Sequence, residues 1–129
     1  MQDRLIIGSE LESLTIVYEW IEKSLANKIS PKKLRDVLLV AQEMVTNSII
    51  HGNSNDASKS VIIEMDTSET VIKIIIEDEG QGIKKLPSKE EAEELDYLAE
   101  NGRGLKLAVL MTDSIKLDSN KIELLFIKE

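Results

Sequence analysis

Apolar residues recur along the chain in two rhythms. A spacing of three to four residues runs through most of the first fifty positions and returns after residue 102, and a spacing of two governs the stretches near 60–78 and 114–127. The first rhythm marks amphipathic helices and the second half-buried strands. After a short strand at 4–7, Leu11, Leu14, Val17, Ile21 and Leu25 fall on one helical face, with Ser9 and Glu12 spaced as a capping box. A second helix has Ser30 as its cap and Pro31 at its first position, and stops at Gly52; Leu34, Val37, Leu38, Ala41, Val45 and Ile49 form its buried stripe.

Two strands follow at 60–66 and 70–78, joined by a short turn around Thr67 to Glu69, which predicts an antiparallel hairpin. Ile72, Ile74, Ile76 and Asp78 share one face, so the aspartate is expected at the rim of the apolar layer. The highly charged stretch at 84–102 reads as a loop or lid. A helix then begins just after glycines in "GRGLKLAVLMTD", and a second hairpin at 114–118 and 121–129 turns at Ser119 and Asn120. The order β, α, α, β, β, lid, α, β, β predicts an α+β fold. Its form is a two-layer α/β sandwich in which a mixed, mostly antiparallel sheet carries helices on one face. No repeat, linker or low-complexity tract divides residues 1–129, which are expected to form a single domain.

Composition narrows the function. The chain has no cysteine, which rules out disulfides, thiolate metal sites and thiol catalysis. Its net charge of −8 and 3% aromatic content argue against nucleic acid as a partner, because the phosphate backbone would be repelled and few rings could stack on bases. The amino-terminal stretch lacks the pattern of a signal peptide, and no apolar run reaches the roughly 20 residues of a membrane span. A cytoplasmic protein without membrane partners is expected.

Three short stretches carry candidate chemistry. In "EMVTNSIIHG", Glu43, Asn47 and His51 recur at steps of four on a helix whose neighbours Val40, Met44 and Ile50 are apolar, so the polar stripe reads as a pocket wall rather than a solvated face. An asparagine oxygen is a hard ligand of the kind Mg²⁺ accepts beside water and phosphate, and a glutamate one turn earlier could take a hydroxyl proton. His51, near the helix end, reads as a capping or packing residue. In "EDEGQGI", Asp78 at a strand end could accept a hydrogen bond from an exocyclic amine while Gly80 and Gly82 let a flat ligand approach the backbone; an ordinary acidic turn has the same pattern. In "ENGRGLKLAVL", Gly102 and Gly104 leave amides free for an anion at a helix start and Arg103 adds charge, although a plain loop before a helix also fits.

Taken together and in this order, the three stretches resemble the Bergerat-type ATP-binding domain of the GHKL superfamily, which includes gyrase, MutL and sensor histidine kinases. The short length and the wording "EMVTNSIIHG" resemble the bacterial anti-sigma factor serine/threonine kinases within it. The resemblance implies ATP and Mg²⁺ as cofactors, with Asn47 as the metal ligand, Glu43 as general base and Asp78 on the adenine amine. It further implies that Gly80 and Gly82, followed by Ile83, shape the adenine pocket, and that Gly102, Arg103 and Gly104, followed by Leu105, face the phosphates. The implied partners are a sigma factor and an anti-anti-sigma protein of the STAS type, and the implied assembly is a homodimer.

Two departures from the superfamily pattern stand out. The last strand, "KIELLFIKE", offers no hydroxyl to help hold the water beside the adenine-binding aspartate, and the lid lacks the phenylalanine-rich segment of many histidine kinases. Self-phosphorylation on histidine is not expected, because the lone His51 lies inside the nucleotide helix. Phosphoryl transfer to a partner serine or threonine is therefore the leading expectation. The alternatives are a nucleotide-switched binding module, a histidine-kinase-like ATPase domain and a nucleotide-free interaction protein. On the first helix, Val17, Tyr18, Trp20 and Ile21 spread apolar area over more than one face, with Trp20 read as core in preference to a partner contact.

Overall fold

The computed structural model describes residues 2–80, 89–90 and 103–128. Strand β1 (Gln2–Gly8) leads through a single 3-10 turn at Leu11–Ser13 into helix α1 (Leu14–Leu25). The expected Ser9 cap is not formed. Its hydroxyl donates instead to the Lys59 carbonyl, 2.8 Å away, and the helix opens later with no side-chain cap. That shift also leaves Leu11 exposed, while Val17, Ile21 and Leu25 are fully buried as their spacing predicts. Trp20 packs at the edge of the core, and Ile16 and Tyr18 are exposed. Asn27, in the left-handed region at φ 65°, stops the helix, a conformation its short polar side chain tolerates.

Helix α2 (Pro31–Asn47) begins as its sequence predicts. Ser30 is extended, its side chain accepts from the Lys33 amide at 3.1 Å, and proline occupies the first turn. Ser30→Ala is expected to lower stability by about 1 kcal/mol in urea denaturation, with Ser30→Gly costing only a few tenths. The buried face of α2 is wider than a simple stripe, because Val40 and Met44 are buried beside Val37, Leu38, Ala41 and Val45. Its last turn loosens into a π-type turn over Ser48–Gly52 before the chain reverses.

Strand β2 (Ser60–Thr67) and strand β3 (Val71–Glu77) form the first hairpin, with Thr67 inside the strand and Ser68 closing the turn onto Val71 at 3.0 Å. Helix α3 (Arg103–Met111) precedes strand β4 (Ser114–Asp118) and strand β5 (Lys121–Ile127), whose two-residue connection places Ser119 at φ 57°. The sheet order is β1-β2-β3-β5-β4, and every pairing is antiparallel.

Burial alternates strictly along the central strands. Val61, Ile63 and Met65 of β2, Ile72, Ile74 and Ile76 of β3, and Ile122, Leu124 and Phe126 of β5 face the helices and make one core with them. This is the two-layer α+β sandwich, with one helical layer on one face. Across the opposite face, Lys73 meets Glu123 at 3.6 Å and Lys121 meets Glu77 at 3.9 Å, part-exposed pairs that contribute little individually. No helix among the described residues is long and apolar enough to cross a membrane.

Candidate functional site

Asp78 follows the last residue of β3 and is 3% exposed, so the rim position expected from its register is a buried one. The amide of Gly80 donates to its Oδ1 at 2.8 Å, folding the chain into a tight turn over the carboxylate. Behind it, the Asp78 amide donates to the Asn120 carbonyl at 3.1 Å, and the Asn120 carboxamide donates back to the Asp78 carbonyl. The β4–β5 turn thus clamps the backbone at the end of β3.

The π-type turn at the end of α2 presses against this loop. A Cβ on Gly52 would lie 2.1 Å from Asp78 Oδ2, and one on Gly80 would lie 1.6 Å from the Gly52 carbonyl oxygen. Both glycines are required by close approach. About one turn before it ends, α2 meets the start of α3, where a Cβ on Gly104 would lie 2.8 Å from Glu43 Oε2. One helix therefore touches both of the other candidate stretches. Glu43 and Gly52 are nine residues apart, roughly 13 Å along a helix.

Glu43 and Asn47 are half-buried, neither in the core nor free in solvent, and His51 in the π-type turn is exposed. Gly104 is buried, and Leu105 packs partly against the core. Arg103 is the first residue of α3. Gly82, Ile83, Gly102 and most of the charged lid lie outside the described residues. Among the described residues, no group of three or more histidine, aspartate or glutamate side chains is placed to hold a metal ion. A single carboxamide ligand with a nearby carboxylate suits a hard cation that arrives with most of its oxygen ligands supplied by phosphate and water.

Two residues that the sequence reading passed over belong to this region. Asn53 is wholly buried; its Nδ2 donates to Ser9 Oγ at 2.8 Å and to the Ser60 carbonyl at 3.0 Å, and its Oδ1 accepts from the Glu79 amide at 2.8 Å. Glu79 returns a carboxylate oxygen to the Ser60 amide. The chain reaches this arrangement through Ser54 and Asn55, both left-handed, and the Asn55 amide donates to the Ile49 carbonyl at 2.8 Å. Nearby, the Ser58 hydroxyl and amide both donate to Asp56, holding its carboxyl below the usual carboxylate range. An asparagine just after a helix-ending glycine was the available signal for Asn53, but its three partners are set only by the tertiary fold.

The fold is thus a two-layer α+β sandwich in which one polar-faced helix touches both a strand-end aspartate turn and the start of α3. The family model of the histidine kinase-like ATPase domain matches residues 7–128, and the chain belongs to that family. Among named relatives, it is 40% identical over 95 residues to an anti-sigma F factor of Clostridium perfringens, covering 70% of this chain and 66% of the relative. It is 37% identical over 92 residues to the anti-sigma F factor of Oceanobacillus iheyensis, covering 67% and 61%, and 32% identical over 93 residues to that of Bacillus licheniformis, covering 68% and 62%. The matched region thus spans just under two thirds of the length of these relatives.

Proposed function

We propose that this chain binds MgATP and transfers the γ-phosphoryl group to a serine or threonine of a partner protein, acting as an anti-sigma-type kinase. The observation that carries this reading is the contact of α2 with both flanking stretches, at Glu43 with Gly104 and at Gly52 with the Asp78–Gly80 turn. Asp78 would accept from the exocyclic amine of adenine, with Gly80, Gly82 and Ile83 forming the walls around the base. Gly102, Arg103, Gly104 and Leu105 would lie along the phosphates. Asn47 would give one oxygen to Mg²⁺, which on binding neutralises phosphate charge. As the seryl oxygen bonds phosphorus and the bond to the βγ-bridging oxygen breaks, ADP leaves and Glu43 takes the hydroxyl proton. The similarity to anti-sigma F factors supports a sigma factor as one partner; the phosphoryl acceptor would be an anti-anti-sigma protein.

Isothermal titration of MgATP tests the binding step. Asp78→Asn keeps the size of the side chain and removes its charge, and is expected to weaken binding by about 10- to 100-fold, the range of a lost charge-assisted hydrogen bond. Absence of binding by the wild-type protein, with its fold intact by circular dichroism, would overturn the reading. Phosphoryl transfer is then read as a mass increase of about 80 Da on a co-expressed partner, the increment of one phosphate group. Nucleotide-dependent partner binding without that increment identifies a switched binding module instead.

A further inference from the structure

Two neighbouring residues at the end of α2 contact three consecutive residues after β3. Gly52 lies against Asp78 through its Cα and against Gly80 through its carbonyl, and the Asn53 side chain takes the amide of Glu79 between them. The same carboxamide reaches the end of β1 through Ser9 and the start of β2 through Ser60, while Glu79 closes the ring by accepting from the Ser60 amide. The Asn53 amide in turn donates to the Ser48 carbonyl at 2.8 Å, tying this carboxamide to the π-type turn.

The partners also dictate the side-chain chemistry. The Ser9 hydroxyl already donates to the Lys59 carbonyl, so toward Asn53 it is an acceptor, as is the Ser60 carbonyl; Glu79 N–H is a donor. Two acceptors and one donor meet a carboxamide in one orientation only, and a flipped amide would set like against like. Aspartate has no donor for Ser60, and alanine serves none of the three. Such a buried, fully partnered carboxamide fixes the loop before any ligand arrives.

We infer that Asn53 is a positioning residue of the nucleotide site: it holds the Asp78–Gly80 turn in register with the Glu43 and Asn47 face of α2, so that the two ends of one nucleotide are met by a loop already in place. This inference rests on the ATP reading above and adds to it a residue that touches no ligand. In Asn53→Ala the turn must be ordered at each binding event, and affinity falls by the cost of that ordering.

The test combines titration of MgATP with amide hydrogen exchange read by NMR on the whole chain. Asn53→Ala is expected to bind MgATP about 10-fold more weakly or worse. In the ligand-free variant the Glu79 and Gly80 amides should exchange at least about 10-fold faster, while core amides such as those of Ile74 and Leu124 keep their wild-type rates. Saturating MgATP should slow the two loop amides again. Unchanged affinity, unchanged loop exchange, or equal acceleration of the core amides, the mark of a merely structural role, would each overturn the inference. Should the variant not fold, wild type alone decides: a Glu79 amide exchanging at the rate of an unstructured chain overturns the inference, and strong protection without ligand upholds it. A wild-type protein that binds no MgATP defeats the ATP reading, and with it the inferred role, whereas a failure confined to the variant leaves the ATP reading standing.

Discussion

Gly80→Ala should cost more than about 3 kcal/mol and abolish nucleotide binding. The added Cβ would sit 1.6 Å from the Gly52 carbonyl oxygen and 2.6 Å from its carbon, a collision with backbone that no side-chain rotation relieves. Both partners are pinned. Gly52 belongs to the π-type turn that the Asn53 amide closes, and Gly80 is tied by its own amide to Asp78. Relief therefore means displacing either the end of α2 or the Asp78 turn, more than the 1–3 kcal/mol usual for overpacking. The φ of Gly80 is outside the left-handed region, so the loss measures space and not conformational freedom. Gly104→Ala is the comparison: its Cβ would lie 2.8 Å from Glu43 Oε2, which can swing away, and 3.2 Å from Glu43 Cβ, which need give only slightly, so it should cost less. Urea denaturation of both variants checks the ranking, and a Gly80→Ala midpoint equal to wild type would refute the argument.

Glu43→Ala should lower phosphoryl transfer by about 10²- to 10⁴-fold while leaving MgATP affinity within about 3-fold of wild type. The residue is half-buried, and its neighbours Val40 and Met44, not Glu43, supply the apolar contacts of that turn. Removing the carboxylate should therefore remove a proton acceptor without disturbing the helix. Glu43→Gln sharpens the test, since it keeps the length of the side chain beside Gly104 and loses only the ability to take a proton. Equal loss in both variants, measured by partner phosphorylation against titrated affinity, supports the base assignment. Recovery in Glu43→Gln would instead make the role one of packing or hydrogen bonding.

Most of the elements could be read from the chain because their causes are local. Ser30 caps a helix through a residue three positions on, the β4–β5 turn falls at Ser119 and Asn120, and alternation alone puts Ile72, Ile74, Ile76 and Asp78 on one buried face. Where the cause was distant, the reading failed. Ser9 has every local mark of a cap, yet its hydroxyl serves Lys59, fifty residues away. Asn53 was passed over and is a buried junction of three strand ends. Gly52 was legible as a stop signal, but its contact with Asp78 needed the fold. The candidate site was visible as three stretches; their meeting along one helix was not, because no spacing in the sequence encodes it.

The strand order has a consequence for how the molecule assembles. The β2–β3 and β4–β5 hairpins join neighbours in the chain and can close in microseconds. In contrast, β1 must find β2 more than fifty residues later, and β3 must find β5 across the whole of α3. At about 5–20 residues per second of synthesis, the first strand waits roughly 3–10 s for its partner to leave the ribosome. Through that interval the apolar faces of α1 and α2 have only each other to cover them. The carboxamide of Asn53 cannot find Ser9 and Ser60 until β1 docks on β2, and it cannot find Glu79 until β3 is in place. The same distant pairings that complete the sheet are therefore the last steps in building the pocket, and a nascent chain acquires its site only as folding ends.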